Sequence, residues 1–200
     1  MYGLAITTEP TTEPITAAEA KLHCGIAAAV TAWDTYIGSL ITAARKYAED
    51  YTGRSFITTV WAMKLDCFPY CERSLRLPRS PLANVGSITY IDTDGNPQTW
   101  GSGNYVVSAS REPGRVSLTY SSVWPTIRYQ ADAVTITFTA GYGNAAAVPQ
   151  AIKQAIYLTI GHWFEHRSEV EGGGLREIPM GAKALLEMYR VGDEFTEYAA

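Results

Sequence analysis

Basic residues never gather in this chain of 200 residues: Lys and Arg number 16 against 20 Asp and Glu, and the net charge is −4. A sequence-specific DNA binder carries a basic stripe that neutralises phosphates, so that class is not expected. No apolar run approaches the roughly 20 residues of a membrane span, and the N-terminus has no charged-then-apolar leader pattern. Neither membrane insertion nor a secretory leader is expected. Cysteine is scarce, with three in all, an odd count that predicts reduced thiols and synthesis in a cytoplasm. Cys67 and Cys71 in CFPYC are not C-x-x-C, and His23-Cys24 is the nearest thing to an answering pair; loop packing is the expectation there, not metal. Catalytic signatures are missing too. There is no G-x-S-x-G elbow, and Gly141-Tyr-Gly143 lacks both the G-x-G-x-x-G completion and a downstream Lys-Ser/Thr. No internal repeat is present. Nothing specifies catalysis, so an enzyme is not expected, and no cofactor is implied.

What is abundant is apolar and aromatic. Hydrophobic residues make up 46% and aromatic residues 12% of the chain, with 13 Tyr and 5 Trp. That supports one core-bearing domain, with room for an insertion. The rings have two readings: large contact surfaces, since Tyr and Trp bury much area while keeping a polar end, or a Tyr-rich sheet surface.

Residues 141–167 hold the clearest signal. Pro149 suits the first position of a helix. Ile152, Ala155, Ile156, Thr159, Ile160, Trp163 and Phe164 then recur at i, i+3, i+4 and i+7, the stripe of an amphipathic helix over about 149–167. Lys153, Gln154, Gly161 and Glu165 fall on its other face. This helix is expected to be the spine of the core, with Trp163 buried against a second long helix at about 31–52. The stripe of that helix is Trp33, Tyr36, Ile37, Leu40, Ile41, Ala44, Tyr47, Ala48 and Tyr51, and Gly53 stops it.

Upstream, residues 1–14 contain TEPTTEP and read as an extended arm without a core. Thr16 and Glu19 form a capping box, with Ile15 placed as a hydrophobic staple, for a short helix at about 16–24. Between the two long helices the period changes to two. Strands are expected at 55–65, 75–77, 87–92, 105–108, 114–119 and 134–139, rich in β-branched and aromatic residues. Asp94-Gly95 reads as a tight hairpin turn, and Pro78, Pro81, Pro113 and Pro125 punctuate the loops. Past residue 167, three glycines, Gly172, Gly173 and Gly174, predict a mobile loop. A last helix is expected at about 179–189, with Leu185, Leu186, Met188 and Tyr189 as its apolar contacts. Residues 191–200 form an acidic tail. The expected class is therefore α+β: a small bundle of about four helices in one domain spanning 15–190, with an antiparallel β-sheet layer inserted over about 55–140.

One motif tests the non-enzyme reading. His162-Trp-Phe-Glu165-His166 matches H-x-x-E-H, where histidines one helical turn apart can share Zn²⁺ and a carboxylate can act as base. Glu169 or Glu171 would have to complete the ligand set. At roughly 100° per residue, His166 points toward the apolar stripe and Glu165 nearly opposite. The expectation is a partly buried His at a helix C-terminus, where positive charge is favoured. No metal site is assigned, and His162 and His166 stand as weak candidates.

Six segments in order, ITAAEAKLH, ITAARKYAEDYTGRSF, LRLPRSPLANVGSITYID, VTITFTAGYG, VPQAIKQAIYLTIGHWFEHR and IPMGAKALLEMYR, resemble the head–tail connector (adaptor) proteins of tailed bacteriophages, in the subgroup with a β-sheet insertion between helices. The resemblance covers about residues 15–190, and the N-terminal TEPTTEP segment departs from it. It implies a virion protein made in the bacterial host cytoplasm and located at the head–tail interface. It also implies self-association into a twelve-fold ring under the portal protein, and a platform for head-completion or tail proteins. Double-stranded DNA would pass along the channel without sequence-specific binding, and an acidic subunit without basic stripes suits a wall that does not grip it. The family supplies no catalytic residues. Its alternatives are another ring component of the virion, a head-closure or tail-terminator protein, or a small zinc hydrolase using His162, Glu165 and His166. Interface candidates are Gly172, Gly173 and Gly174, which could line the channel or touch a neighbour, Tyr189, and the tail anchors Phe195 and Tyr198, read as an arm that orders on the portal.

Overall fold

The computed structural model describes residues 2–166 and 179–192. The described residues divide into two compact units, residues 11–57 with 143–166 and 179–190, and residues 2–10 and 58–142 with 191–192. The first is helical and the second is β, which is the α+β class expected.

The helical unit contains α1 (Ala17–His23), α2 (Asp34–Thr52), α3 (Gln150–Glu165) and α4 (Met180–Glu187). Helix α1 starts as its sequence dictates. Thr16 Oγ1 accepts from the Glu19 amide at 3.2 Å, and the Glu19 carboxylate accepts from the Thr16 amide at 2.7 Å. Ile15 and Ala20, the stapling pair, are both buried. Helix α2 ends at Gly53, which adopts the left-handed conformation with φ 69° that other residues enter at a cost. Helix α3 begins one residue after Pro149, whose fixed φ of −54° leads into it.

The spine of the unit is Ile152, Ala155, Ile156, Thr159 and Ile160, all buried. Trp163 is not part of it. It is half-buried, edge-on to Tyr47 of α2 with ring centroids 6.4 Å apart. Phe164 does the same against Trp33 at 5.8 Å. The stripe thus frays into a ring-on-ring seam in its last turn. Gly161 is not on an idle face: a Cβ there would lie 3.1 Å from His23 Nε2, so its missing side chain lets α1 approach. In α4 the packing residues are Ala182 and Leu186, while Met188 is 67% exposed.

The β unit holds two antiparallel sheets. Strands β1 (Tyr2–Thr8), β2 (Thr59–Leu65), β8 (Val134–Ala140), β4 (Leu82–Ile91) and β5 (Pro97–Thr99) lie in that order in one. Strands β3 (Ser74–Arg76), β7 (Arg115–Leu118) and β6 (Tyr105–Ser108) form the other. In the centre of the large sheet, Trp61, Met63 and Leu65 stand opposite Phe138, Ile136 and Val134. All six are buried on one face, which is the alternation that specifies strand register. The same core takes in Leu75 and Val116 of the small sheet and a ring cluster of Phe68, Trp100, Tyr105 and Trp124. Phe68 stacks on Trp124 at 5.0 Å, and Trp100 on Tyr105 at 5.3 Å.

Three expectations change here. Residues 2–8 are no free arm: Tyr2–Thr8 pairs with β2 as an edge strand, and Tyr2 and Leu4 pack on the β core. Residues 55–57 are not strand but belong to the helical unit, where Phe56 is fully buried and its amide donates to Glu49 Oε1 at 2.7 Å. Strand β4 runs from Leu82, longer than expected, and closes on β5 through the Asp94-Gly95 turn, with Gly95 at φ 91°.

Candidate interaction surfaces

Among the described residues the zinc-like motif does not assemble. His162 and His166 do stack one turn apart, with ring centroids 4.8 Å apart and edge-to-face. His166 is exposed at the end of α3, not turned into the apolar stripe, and Glu165 is exposed as well. Among the described residues no group of three or more His, Cys, Asp or Glu is placed to hold a metal ion. Glu169 and Glu171 lie outside the described residues. Cys67 and Cys71 are exposed free thiols in a loop. Burial, and then the nearby Glu165 carboxylate, push the Cys24 thiol above its ordinary value, which holds it in the unreactive protonated form.

Of the interface candidates, Tyr189 is described. It is half-buried, and its carbonyl accepts from the Arg54 guanidinium, which ties the end of α4 to the segment after α2. Tyr51 Oη donates to Glu187 at 2.7 Å beside it, and this bond pushes the phenol upward. Gly172, Gly173, Gly174, Phe195 and Tyr198 lie outside the described residues.

The structure divides the rings between core and surface. Trp61, Trp100 and Trp124 are core. Tyr120 and Tyr129 are fully exposed at 101% and 99%, with Val123 at 76% and Tyr70 at 56%. These four belong to the loop between β7 and β8 and the loop that braces it. Despite lacking regular structure, residues 119–133 are pinned at many points. The Arg73 guanidinium donates to the carbonyls of Thr119 and Tyr120, at 2.7 and 3.2 Å. Trp124 is driven into the core and its Nε1 donates to the Glu72 carbonyl at 2.7 Å. Tyr70 Oη donates to the Pro125 carbonyl at 3.1 Å, and the Arg128 amide to the Ile91 carbonyl at 3.0 Å. The loop therefore presents its tyrosines on a fixed backbone, the low-entropy form of an aromatic contact site. Sequence reasoning missed it because SSVWPTIRYQ has no period; the signal available was the density of rings around Pro125.

The recess between β4, β5 and residues 132–135 encloses about 50 Å³, well short of the roughly 300–1,000 Å³ of a small-molecule pocket. No described helix is long and apolar enough to cross a membrane.

A helical unit with an inserted two-sheet β unit and a braced aromatic loop held out to solvent make an α+β protein of two units. Comparison with known proteins makes this specific. The profile of the head completion protein family matches residues 14–191. The chain belongs to that family. Solved structures with the same fold include a chain of the neck of an empty gene transfer agent (GTA) particle computed with C6 symmetry. It is 23% identical over 95% of this chain and 96% of that chain, with a TM-score of 0.79. A chain of a native GTA virion is 24% identical, over 94% and 95%, with a TM-score of 0.77. A chain of the native GTA neck computed with C12 symmetry is 22% identical, over 95% and 96%, with a TM-score of 0.74. Curated protein sequences give no match. The sequence resemblance to head–tail connectors and the family agree on a structural protein that completes the phage head, and the solved structures share its fold.

Proposed function

We propose that the protein is one subunit of a ring seated under the portal vertex, where it extends the DNA channel and offers the next neck or tail protein its docking platform. One observation carries this: the family profile spans almost the whole chain, residues 14–191. The likeness to a neck chain computed with C12 symmetry supports a twelve-fold ring. In this reading the protein is not an enzyme, needs no metal or cofactor, and lets duplex DNA pass without gripping it. It is made in the host cytoplasm and retained in the virion. Tyr189, the segment Gly172 to Gly174, and Phe195 and Tyr198 are the proposed contacts with the portal and with ring neighbours.

The test is co-sedimentation with purified, DNA-filled heads that carry the portal but no tail. The full chain is expected to sediment with them and to restore tail joining. A protein that binds isolated tails and ignores such heads would be a tail-terminator protein instead. The same assay run without residues 191–200 tests the tail as the portal arm. Retained co-sedimentation moves that contact to the helices.

A further inference from the structure

The two edges of the large sheet differ. One is β5, three residues long and opening on Pro97. Shortness and proline are devices by which sheets discourage further pairing. The other edge is β1, and it carries neither. Tyr2–Thr8 reads YGLAITT, without a charged residue or a proline; Glu9 and Pro10 come only after it. Among the described residues β1 pairs with β2 alone. In an antiparallel ladder every second residue of an edge strand turns both its N–H and its C=O away from its partner. The core face is unfinished at the same place. Leu4 and Ile6 stand opposite Met63 and Trp61, which are 0% and 7% exposed. Leu4 itself is half-buried, and Ile6 is 38% exposed. On the other face Gly3 and Ala5 are small and exposed. The neighbouring cations are engaged elsewhere: Lys64, opposite Gly3, reaches Asp132 at 3.4 Å, and the Arg79 guanidinium lies over the Trp61 ring, 4.8 Å from its centroid. The register shifts between Ile6 and Thr8, so the regular part of the edge is residues 3–6.

We propose that residues 3–6 of β1 accept an added β-strand, an extended segment of a partner protein with apolar side chains at every second position. Its backbone pairs with the outward N–H and C=O groups, which supplies affinity. Its apolar side chains cover Leu4 and Ile6, which removes their remaining apolar surface from water and sets the register. Gly3 and Ala5 leave the opposite face open to side chains of any size. A second copy of this chain fits less well. Its own β1 bends at the same register shift, so two such edges meet over a short run, whereas a free extended segment can follow the bend. The site lies wholly within the β unit, so the inference does not depend on ring formation under the portal.

Fluorescence anisotropy on the full chain tests it. The probe is a labelled peptide that alternates valine with threonine and is flanked by serines; its control is the same peptide with a central proline. The first is expected to bind saturably, and the second about ten-fold more weakly or worse, because proline cannot donate to the ladder. Ile6→Lys puts a charge where the apolar cover would sit and is expected to weaken binding by about ten-fold or more. Ala5→Lys, on the opposite face, should leave it unchanged. Hydrogen exchange followed by NMR reads the same event without any substitution. Every second amide of residues 3–6 should exchange fast in the protein alone, and the peptide should slow it by about ten-fold or more. Absent binding, equal binding of the proline peptide, or binding that leaves those amides unprotected overturns the proposal. Binding that Ile6→Lys leaves at the parent level overturns it too. Amides that are all slow before peptide is added also overturn it: a dimer in analytical ultracentrifugation then gives the edge to a second copy, and a monomer gives it to the chain itself.

Discussion

Arg45 and Glu13, 32 positions apart in sequence, are joined by a 2.7 Å bond from Nε to Oε2. Arg45 is 4% exposed, and on its other side Nη1 donates to Glu49 at 2.8 Å. Glu49 in turn accepts the Phe56 amide at 2.7 Å. One buried guanidinium thus ties the segment before α1, the middle of α2 and the chain beyond its end. Burial alone would lower the arginine's pKa, but the two carboxylates overcome it and hold the group above its ordinary value.

Breaking this triad from the inside is expected to be costly. Glu49→Ala strips Arg45 of its most buried partner and leaves the Phe56 amide unsatisfied. A loss of about 3–5 kcal/mol is expected, the range for removing one member of a buried ion pair. Glu13→Ala should cost less, because the Glu13 side chain is 30% exposed and water can replace it. Urea titration of both variants checks the order; equal losses would mean that Glu49 acts no differently from a surface partner.

The capping box predicts a pH response. Hydrogen bonds from the Thr16 amide and hydroxyl lower the Glu19 carboxyl below its ordinary value of 4.5. A group depressed in the folded state contributes stability above its unfolded pKa and loses it as pH falls through the folded value. Thr16→Ala is therefore expected to cost about 1 kcal/mol at neutral pH. The difference from the parent should shrink below about pH 4.5. Glu19 is exposed, so solvent keeps its own share small. Thermal melts at neutral and acid pH check this, and a pH-independent difference would mean that the Thr16 hydroxyl adds nothing to the Glu19 shift, which would then rest on the amide of residue 16 alone.

Core packing in the two units gives a third expectation. Ile156→Ala, in the buried stripe of α3, is expected to lose about 2–5 kcal/mol. Trp163→Ala should lose less than the 3–5 kcal/mol typical of a fully buried aromatic, because it is half-buried and meets Tyr47 at its edge. In the β unit, Gly114→Ala would put a Cβ 2.5 Å from the Leu82 Cβ. Overpacking there should cost about 1–3 kcal/mol. A neutral Gly114→Ala in chemical denaturation would show that Leu82 and its strand can shift aside.

How much of this was legible follows the physics of each segment. The long helices and the strands Tyr105–Ser108 and Val134–Ala140 stood out because one face of each is buried, which forces a period on the sequence. Strand Tyr2–Thr8 was readable as Tyr2, Leu4 and Ile6 alternating with small residues. It was lost because the TEPTTEP that follows it suggested an unstructured arm, and because an edge strand buries too little to repeat strongly. Pro97–Thr99 is three residues long and opens on proline, which sheets tolerate only at edges. Trp163 was misplaced because helical spacing tells which way a side chain faces but not where the partner helix ends. The braced tyrosine loop depends on Arg73, Glu72 and Ile91 carrying it from distant positions.

That loop carries the last prediction. Tyr120 and Tyr129 are fully exposed, yet they stand on a backbone pinned by Arg73, Trp124 and Tyr70. Fixed aromatic side chains reach an interface with little entropy left to lose, and Tyr is over-represented among residues that dominate binding. The rings make no core contact of their own, so the double substitution Tyr120→Ala with Tyr129→Ala should leave stability within about 0.5 kcal/mol of the parent. Assembly should suffer instead: if the loop meets a neighbour in the neck, the variant is expected to compete poorly with wild type for incorporation into heads, by about ten-fold or more, the equivalent of one lost hot spot. Arg73→Ala makes the complementary case. It keeps both tyrosines but releases the loop backbone, so it should weaken incorporation as well, with faster proteolysis between residues 119 and 133 as the sign of the loosened loop. Mixed-incorporation assays with equal wild-type and variant protein measure both effects. Equal incorporation of the tyrosine variant would show that the exposed rings are surface without a partner, and would shift the search for the neighbour contact to the helical unit.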